Sequence, residues 1–303
     1  MVNALTIDIE DWYQTQDFNI SPSNWDMYED RMEYGVNIIL EILQRHSIKA
    51  TFFILGYIAK KHPELVRKIA VQGHEIGSHG FYHRMVDKMT KKEFKEDLVS
   101  SKAVLEDITG THVKIYRASS WSVSPDTYWA LLILEEEGFI CDSSIQPYRT
   151  PLSGMRKGIY FPFHPVIDGK KLNLLEYPQT VLKFFGFSFP FSGGFYLRAM
   201  PSNLVLWALK NVNTKMPGMV YIHPWELDAK QPRLNVPLHM KFIHYYNLNS
   251  TEGKLKKLLK AFKFIPLGEL IKENEYPSCQ FGPDSIKFSK FSLTNCNIKC
   301  RII

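Results

Sequence analysis

Residues 73–83 read G-H-E-I-G-S-H-G-F-Y-H. An amphipathic run ahead of them, with Leu65, Ile69 and Ala70 on one face, stops at Gly73, a residue type that tolerates left-handed backbone at a helix end. Ile76, Gly77 and Ser78 then predict a short buried strand that opens into a loop at His79. His79 and His83 lie four residues apart. A single helical turn, or a tight loop of the same rise, aims both imidazoles at one point, as a divalent metal requires of neutral nitrogen ligands. The spacing alone fits two unrelated polar histidines equally well, so its meaning rests on the remainder of the chain.

A chain of 303 residues can bury one large barrel or two modest cores. Its hydrophobic content of 45% and charged content of 22% are ordinary for a globular protein. The net charge of +6 is mild and spread along the chain. The densest basic cluster, residues 254–263, reads as a solvated helix face, with an anionic membrane surface or a lipid-linked phosphate as the other reading. No basic stripe with interleaved stacking aromatics appears, which argues against nucleic-acid binding. The N-terminus has no charged and apolar leader pattern, and no apolar run approaches the ~18 residues of a membrane span; the expectation is a cytoplasmic protein without a transmembrane segment. Cys141 lies in an apolar run, whereas Cys279, Cys296 and Cys300 lie near the C-terminus without a full metal-ligand set, so free thiols are expected.

Strand and helix patterns alternate along the chain. Residues 4–9 predict an apolar strand ending in the acids Asp8, Glu10 and Asp11. Val36, Ile39, Leu40 and Leu43 mark a helix, and residues 50–55 a second buried strand. Thr90 and Glu93 form a capping box for a helix with the stripe Phe94, Leu98, Leu105 and Ile108, which Gly110 ends. Strands follow at residues 113–117 and 139–141, separated by a helix from Pro125 to Gly138. After Tyr148 the pattern loosens into Gly-, Pro- and Phe-rich loops, strand pieces at 172–177, a helix at 203–211, a strand at 219–222 and a helix at 253–262. Such repeated alternation predicts an α/β fold: a distorted (β/α) barrel of about seven parallel strands. Residues 1–275 form one unit on this reading, and 276–303 an irregular tail.

Polar residues collect where such a barrel builds its sites. Asp8, His79, Arg117, Asp142 and His223 all stand at or just after the C-terminal ends of predicted strands. Each has an ordinary reading singly: a cap, a surface ion pair, a satisfied loop histidine. Jointly those readings require every polar strand end to be independent.

The motifs carrying these residues resemble the NodB-homology polysaccharide deacetylases, carbohydrate esterase family 4. They are T-I-D-I-E-D-W from Thr6, H-G-F-Y-H from His79, Y-R-A-S-S-W-S from Tyr116, C-D-S-S from Cys141 and Y-I-H-P-W-E from Tyr221. The D-x-E-D-W start, S-G-G-F-Y-L-R from Ser192 and H-Y-Y-N-L from His244 resemble the branch of that family with a C-terminal extension. The resemblance covers nearly the whole chain to about Ile271, and it implies a metal-dependent hydrolase that removes an acetyl group from an N-acetylated sugar, polysaccharide or glycan precursor.

On this resemblance one carboxylate with His79 and His83 holds a divalent metal, Zn²⁺ first and Co²⁺, Mn²⁺ or Ni²⁺ as alternatives. Asp8 is implied as general base beside Arg117, and His223 as general acid with Asp142 fixing its tautomer. A backbone N–H from Tyr82 or the loop at Ser119 would face the oxyanion. Two departures from the family pattern stand out. The usual start places two aspartates side by side, whereas Ile9 and Glu10 separate Asp8 from Asp11. Along an extended strand Asp8 and Glu10 share a face, making Glu10 the ligand; a turn after Glu10 makes it Asp11, the reading we prefer. Ser119 also replaces a frequent proline. Trp12, Tyr13, Tyr82, Trp121 and Trp225 are expected to stack on sugar rings or to roof the barrel, with Arg198 and His244 reaching the pocket. The implied partner is an acetylated sugar or glycan, lipid-linked in one version. Two other functions compete: hydrolysis of a non-sugar C–N bond such as a cyclic amide, and a catalytically silent glycan-binding module.

Overall fold

A computed structural model describes residues 1–156, 158–280 and 287–288. Strand β1 (Val2–Ile9) lies at its centre. It is followed by α1 (Met32–Arg45), β2 (Thr51–Ile54), α2 (Gly56–Lys61), α3 (Pro63–Val71) and β3 (Glu75–Ser78). The series continues with α4 (Lys91–Thr109), β4 (Ile115–Tyr116), α5 (Trp129–Glu136) and β5 (Cys141–Asp142). A short hairpin, β6 (His164–Ile167) and β7 (Lys170–Lys171), precedes β8 (Leu175–Glu176), and a second hairpin comprises β9 (Val181–Phe184) and β10 (Phe187–Pro190). Then come α6 (Gly194–Ala199), α7 (Ser202–Val212), β11 (Met219–Ile222), α8 (Leu238–Tyr245), α9 (Thr251–Ala261) and β12 (Lys263–Ile265).

The main sheet runs β11-β1-β2-β3-β4-β5-β8, every pairing parallel, with β12 also beside β1. These seven strands form a half-barrel rather than a closed one. Its two ends, β8 and β11, do not pair with each other. Met219 N–H instead donates to Thr180 Oγ1 (2.8 Å) and Tyr221 N–H to the Ser192 carbonyl (3.0 Å), so the chain on either side of the second hairpin fills the gap.

Side-chain alternation sorts β1 onto two faces. Leu5, Ile7 and Ile9 join Val36, Ile39 and Leu43 of α1 in the layer between sheet and helices. Ala4 points the other way, into an interior shared with Phe53, Ile115, Cys141, Leu175, Met219 and Tyr221. Thr6, Asp8 and Glu10 share the parity of Ala4, and that places both acids in the barrel mouth. Helix α1 is drawn close to this mouth: a Cβ at Gly35 would lie 2.3 Å from the Pro224 carbonyl oxygen, next to His223.

The expected caps are present. Thr90 and Glu93 cap α4 reciprocally, and Gly110 ends it at φ 65°. Two expectations hold only in part: Lys257, Lys260 and Lys263 are exposed but Lys254 is not, and the segment from 276 opens with a strand. Lys254 is not on a solvated face; its buried Nζ donates to the carbonyls of Leu197 (2.9 Å), Arg198 (2.5 Å) and Met200 (2.6 Å), closing the C-terminal end of α6. The tail from 276 is not irregular at its start, because β13 (Ser278–Gln280) pairs in parallel with β6 and also with β14 (Lys287–Phe288). Cys141 is a buried free thiol and Cys279 is buried, while Cys296 and Cys300 lie outside the described residues.

Candidate active site

His79 follows the last residue of β3, and the chain bends at Gly80 (φ 76°) before reaching His83. His83 itself holds left-handed backbone, φ 53°, which few non-glycine residues adopt outside constrained sites. The link is therefore a tight loop and not a helical turn. The two imidazoles face each other with centroids 4.9 Å apart. His79 Nδ1 lies 2.8 Å from the Arg117 carbonyl and His83 Nδ1 2.8 Å from the Gln14 carbonyl. A carbonyl only accepts, so each Nδ1 carries a proton, and in its neutral form each imidazole turns its Nε2 lone pair inward.

Glu10 completes the cluster. It, His79 and His83 each offer one atom, all within 4.8 Å of one another, and all three are buried. Glu10 Oε2 stands 2.7 Å from His83 Nε2 and has no other partner. Two acceptors in such contact require a proton or a cation between them. Burial opposes the charge on Glu10, but the facing His83, with His223 and His79, overcomes it and holds the carboxyl far below its ordinary range. Burial likewise opposes charge on His83, and Glu10 more than offsets it, raising the imidazole. His79, whose burial outweighs the pull of Asp8, is lowered to about 4 and stays a neutral donor ligand. One carboxylate with two oriented imidazoles fits the open ligand set of a catalytic divalent metal.

Beside this cluster lies a buried ion pair. Arg117 Nη1 donates to Asp8 Oδ1 (2.5 Å) and Thr6 Oγ1 (2.9 Å), and its guanidinium lies over the rings of Phe53 (4.1 Å) and Trp121 (4.3 Å). Asp8 Oδ2 turns toward His223, 3.9 Å from Nε2. His223 Nδ1 and its backbone N–H both meet Glu226 Oε2, at 2.8 and 3.0 Å. Glu226 Oε1 accepts from Arg198 Nε at 2.7 Å, and Arg198 also donates to the carbonyls of Ile243, His244 and Tyr246. Burial opposes charge on His223; Glu226, then Glu10 and Asp8, outweigh it and raise the imidazole to about 9.

The structure thus brings together Asp8, Glu10, His79, His83, Arg117 and His223, and it moves several expected residues elsewhere. Asp11, preferred as ligand, faces away: its oxygens accept from the backbone N–H of Trp12 (2.8 Å) and Arg31 (2.8 Å), and burial raises it to about 7. Asp142 does not hold His223. Cys141 points into the barrel, so Asp142 points out, accepting from Ser144 Oγ beside Glu176 in the neighbouring strand. Arg198 is buried against Glu226 and three carbonyls, which leaves it holding protein groups rather than a substrate charge. Trp12 is buried in an aromatic cluster with Tyr13, Trp25 and Trp225, its indole N–H on the Glu29 carbonyl, and offers no face to a sugar. Trp121 lies under Arg117. Trp225 forms the wall of the site, donating to Glu10 Oε1 (3.2 Å) and stacking on His223 and His244. Tyr82 alone of the expected sugar contacts is exposed, but its backbone N–H is directed at Asp97.

Sequence reading missed three contributors. Glu226, three residues after His223, has the spacing of a capping box, the signal that could have found it. Half-buried Asp17, raised by burial and then by Glu10, and Gln14, whose carbonyl orients His83, lie on a loop without periodicity.

Residues 24–134 match the family described as Polysaccharide deacetylase, and residues 143–272 match a Domain of unknown function, DUF3473. A peptidoglycan-N-acetylglucosamine deacetylase of Bacillus cereus is 37% identical over 79 residues, 26% of this chain and 29% of that protein. A peptidoglycan deacetylase of Helicobacter pylori is 28% identical over 159 residues, 49% of this chain and 53% of that protein. The matched region thus spans about half or less of these relatives' length. In three dimensions the chain resembles a Mycobacterium smegmatis protein assigned as a polysaccharide deacetylase, with TM-score 0.59, 17% identity and coverage of 90% and 89% of the two chains. A carbohydrate esterase family 4 pseudoenzyme from Bacillus anthracis has TM-score 0.50 and 15% identity, with 93% and 69% covered. At such identities the likeness establishes the fold and not turnover. The chain thus carries a Polysaccharide deacetylase domain over residues 24–134, continued by a DUF3473 segment over residues 143–272.

Proposed function

We propose that this protein is a divalent-metal-dependent deacetylase acting on an N-acetylated sugar within a polysaccharide or peptidoglycan-type glycan. The observation that carries the reading is the convergence of Glu10, His79 and His83, with both imidazole lone pairs fixed inward, between the Asp8–Arg117 and His223–Glu226 pairs. Glu10, His79 and His83 would hold the metal, with zinc favoured by a two-imidazole, one-carboxylate set and cobalt, manganese or nickel as substitutes. When bound, the metal polarises the acetyl carbonyl and lowers the pKa of a water.

The chain's own residues divide the proton traffic. Arg117 fixes Asp8 through Oδ1 and leaves Oδ2 to take the proton of the attacking water. His223, protonated and held through Nδ1 by Glu226, presents Nε2–H to the departing amine. Their separation of 3.9 Å lets base and acid work on the same small group. Exposed Tyr82 stands at the mouth as a surface for a sugar ring.

Both departures from the family pattern have local answers that support activity. Glu10 keeps the parity of Asp8, so the spaced acids still supply a base and a ligand. Ser119 accepts from Gln16 Nε2 (3.3 Å), which also bonds the His83 carbonyl, and so ties the Arg117 loop to the ligand loop.

The test is metal content and acetate release from acetylated glycan oligomers. Purified protein is expected to carry about one metal per chain, and His79→Ala to lose metal and acetate release while keeping its fold. Undiminished turnover by that variant would remove the proposal. Turnover of small cyclic amides but not acetylated sugars would replace the substrate class, and glycan binding without turnover at any metal would leave a binding module.

A further inference from the structure

The hairpin of β9 and β10 is a two-stranded sheet separate from the barrel, inserted where the half-barrel is open between β8 and β11. Its register pairs Phe184 with Phe187 and Leu182 with Phe189, so these four side chains share one face. The opposite face carries Lys183 and Ser188, which bond to each other at 3.1 Å. Leu182 at the base of this face packs against the core, but the rest is uncovered: Phe184, Phe187 and Phe189 are 51%, 69% and 44% exposed, and Phe185 at the tip is 85% exposed. Exposed apolar surface of this density marks an interaction site.

The turn itself points the same way. Phe185 (φ 47°) and Gly186 (φ 80°) form a two-residue turn with both central residues in the left-handed region, where asparagine or glycine fits with less strain. A bulky ring at the first position works against hairpin stability, yet it is projected outward. Helix α7, packed along β9, adds exposed Leu204 and Trp207.

Charge selects the partner. From Tyr177 to Trp225 the chain contains no Asp or Glu; Arg198 is buried against Glu226, and the remaining formal charges are Lys183, Lys210 and Lys215. A second copy would bring the same basic surface against itself. A glycan platform needs polar groups beside its rings, and phenylalanine supplies none. An apolar, aromatic tip on a segment whose exposed charges are all cationic matches an anionic bilayer interface, where rings enter the acyl boundary and lysines stay among the headgroups. We propose that the hairpin Val181–Pro190, led by Phe185 and Phe187, docks this protein on an anionic lipid membrane. This goes beyond the deacetylase reading and stands without it.

The test is sedimentation of the full chain with vesicles of equal parts phosphatidylglycerol and phosphatidylcholine, against pure phosphatidylcholine. The wild type is expected to pellet with the anionic vesicles and to be released by salt. Phe185→Asn, a better turn former, is expected to melt no lower than wild type yet to bind roughly tenfold less, and Phe185→Asn with Phe187→Ser to bind less still. Equal pelleting of wild type and both variants, pelleting without vesicles, or no pelleting with either lipid overturns the proposal. So does a wild-type dimer in light scattering that Phe185→Asn dissociates, or loss of glycan retention by that variant with vesicle binding unchanged.

Discussion

Replacing Glu226 by glutamine keeps the shape of the site and removes one charge. In the wild type Glu226 joins His223 Nδ1 (2.8 Å) to Arg198 Nε (2.7 Å), and His223 is raised from 6.5 to about 9. With the carboxylate gone, only Glu10 and Asp8 still oppose burial, and His223 returns toward 6.5. At pH 8 the protonated fraction then falls from about nine-tenths to about one-thirtieth, a loss of roughly 30-fold in available acid. A cation bound beside Glu10 lowers the titration of His223 in both proteins alike, so the separation of the two basic limbs is the quantity to compare. The assay is kcat/KM for acetate release across about pH 5 to 9.5, expected to show the basic limb of Glu226→Gln moved about two and a half units toward acid. The variant also leaves Arg198 buried without its counter-charge, a cost of about 3 kcal/mol that lowers Tm at every pH. Glu226→Asp keeps the charge and is expected to keep the limb. A lowered Tm with an unmoved basic limb would show that Glu226 supports the fold only and that His223 is not the acid.

Gly35→Ala gains about 1 kcal/mol of helix propensity, but its Cβ would lie 2.3 Å from the Pro224 carbonyl oxygen, and backbone overlap wins. The expected net cost is about 1–3 kcal/mol in urea melts, with acetate release reduced further because the displaced turn carries His223. Glu176→Gln addresses the outward acid pair: Asp142 and Glu176 are in register and buried, and burial pushes Asp142 up to about 6 and keeps Glu176 protonated well above its ordinary range. Carboxyls raised on folding stabilise the fold fully below their unfolded values and progressively less as pH rises through the folded ones, so wild-type Tm is expected to fall from about pH 4 through pH 6 and above, and Glu176→Gln to flatten that fall. An unchanged Tm profile would contradict the raising of this carboxyl pair by burial.

Strand parity explains which site residues could be read from sequence. Asp8 and Glu10 follow Ala4 and Thr6 at intervals of two, and His223 follows Met219 and Tyr221 in the same way. Strand β5 gives no such count. Its approach, Phe139-Ile140-Cys141, is apolar throughout, and nothing in it reveals that Cys141 rather than Asp142 enters the barrel. Asp11 was misassigned for a different reason: the chain does turn after Glu10, with Gln14 N–H on the Asp11 carbonyl, but the turn carries Asp11 outward to the N–H of Arg31, 20 residues away. The roles of Arg198 and Lys254 depend on contacts 28 to 57 residues apart, which no local pattern encodes.

These long contacts bear on what the segment of unknown function does. The matched deacetylase segment, 24–134, contains His79, His83 and Arg117 but neither Asp8 nor Glu10 of β1, and not His223. β1 is held between β2 of that segment and β11 of the DUF3473 segment, so the strand bearing Asp8 and Glu10 is registered by both. The DUF3473 segment then supplies His223, its partner Glu226, the Arg198 that fixes Glu226, and the α8 carbonyls that fix Arg198. Lys254 in turn closes α6, the helix that carries Arg198. On the proposed chemistry a chain cut after residue 134 keeps two metal-binding imidazoles and loses the acid, its orientation and half the support of the base. The segment is therefore part of the catalytic unit on this reading, and the barrel is completed by it in both senses, as sheet and as site.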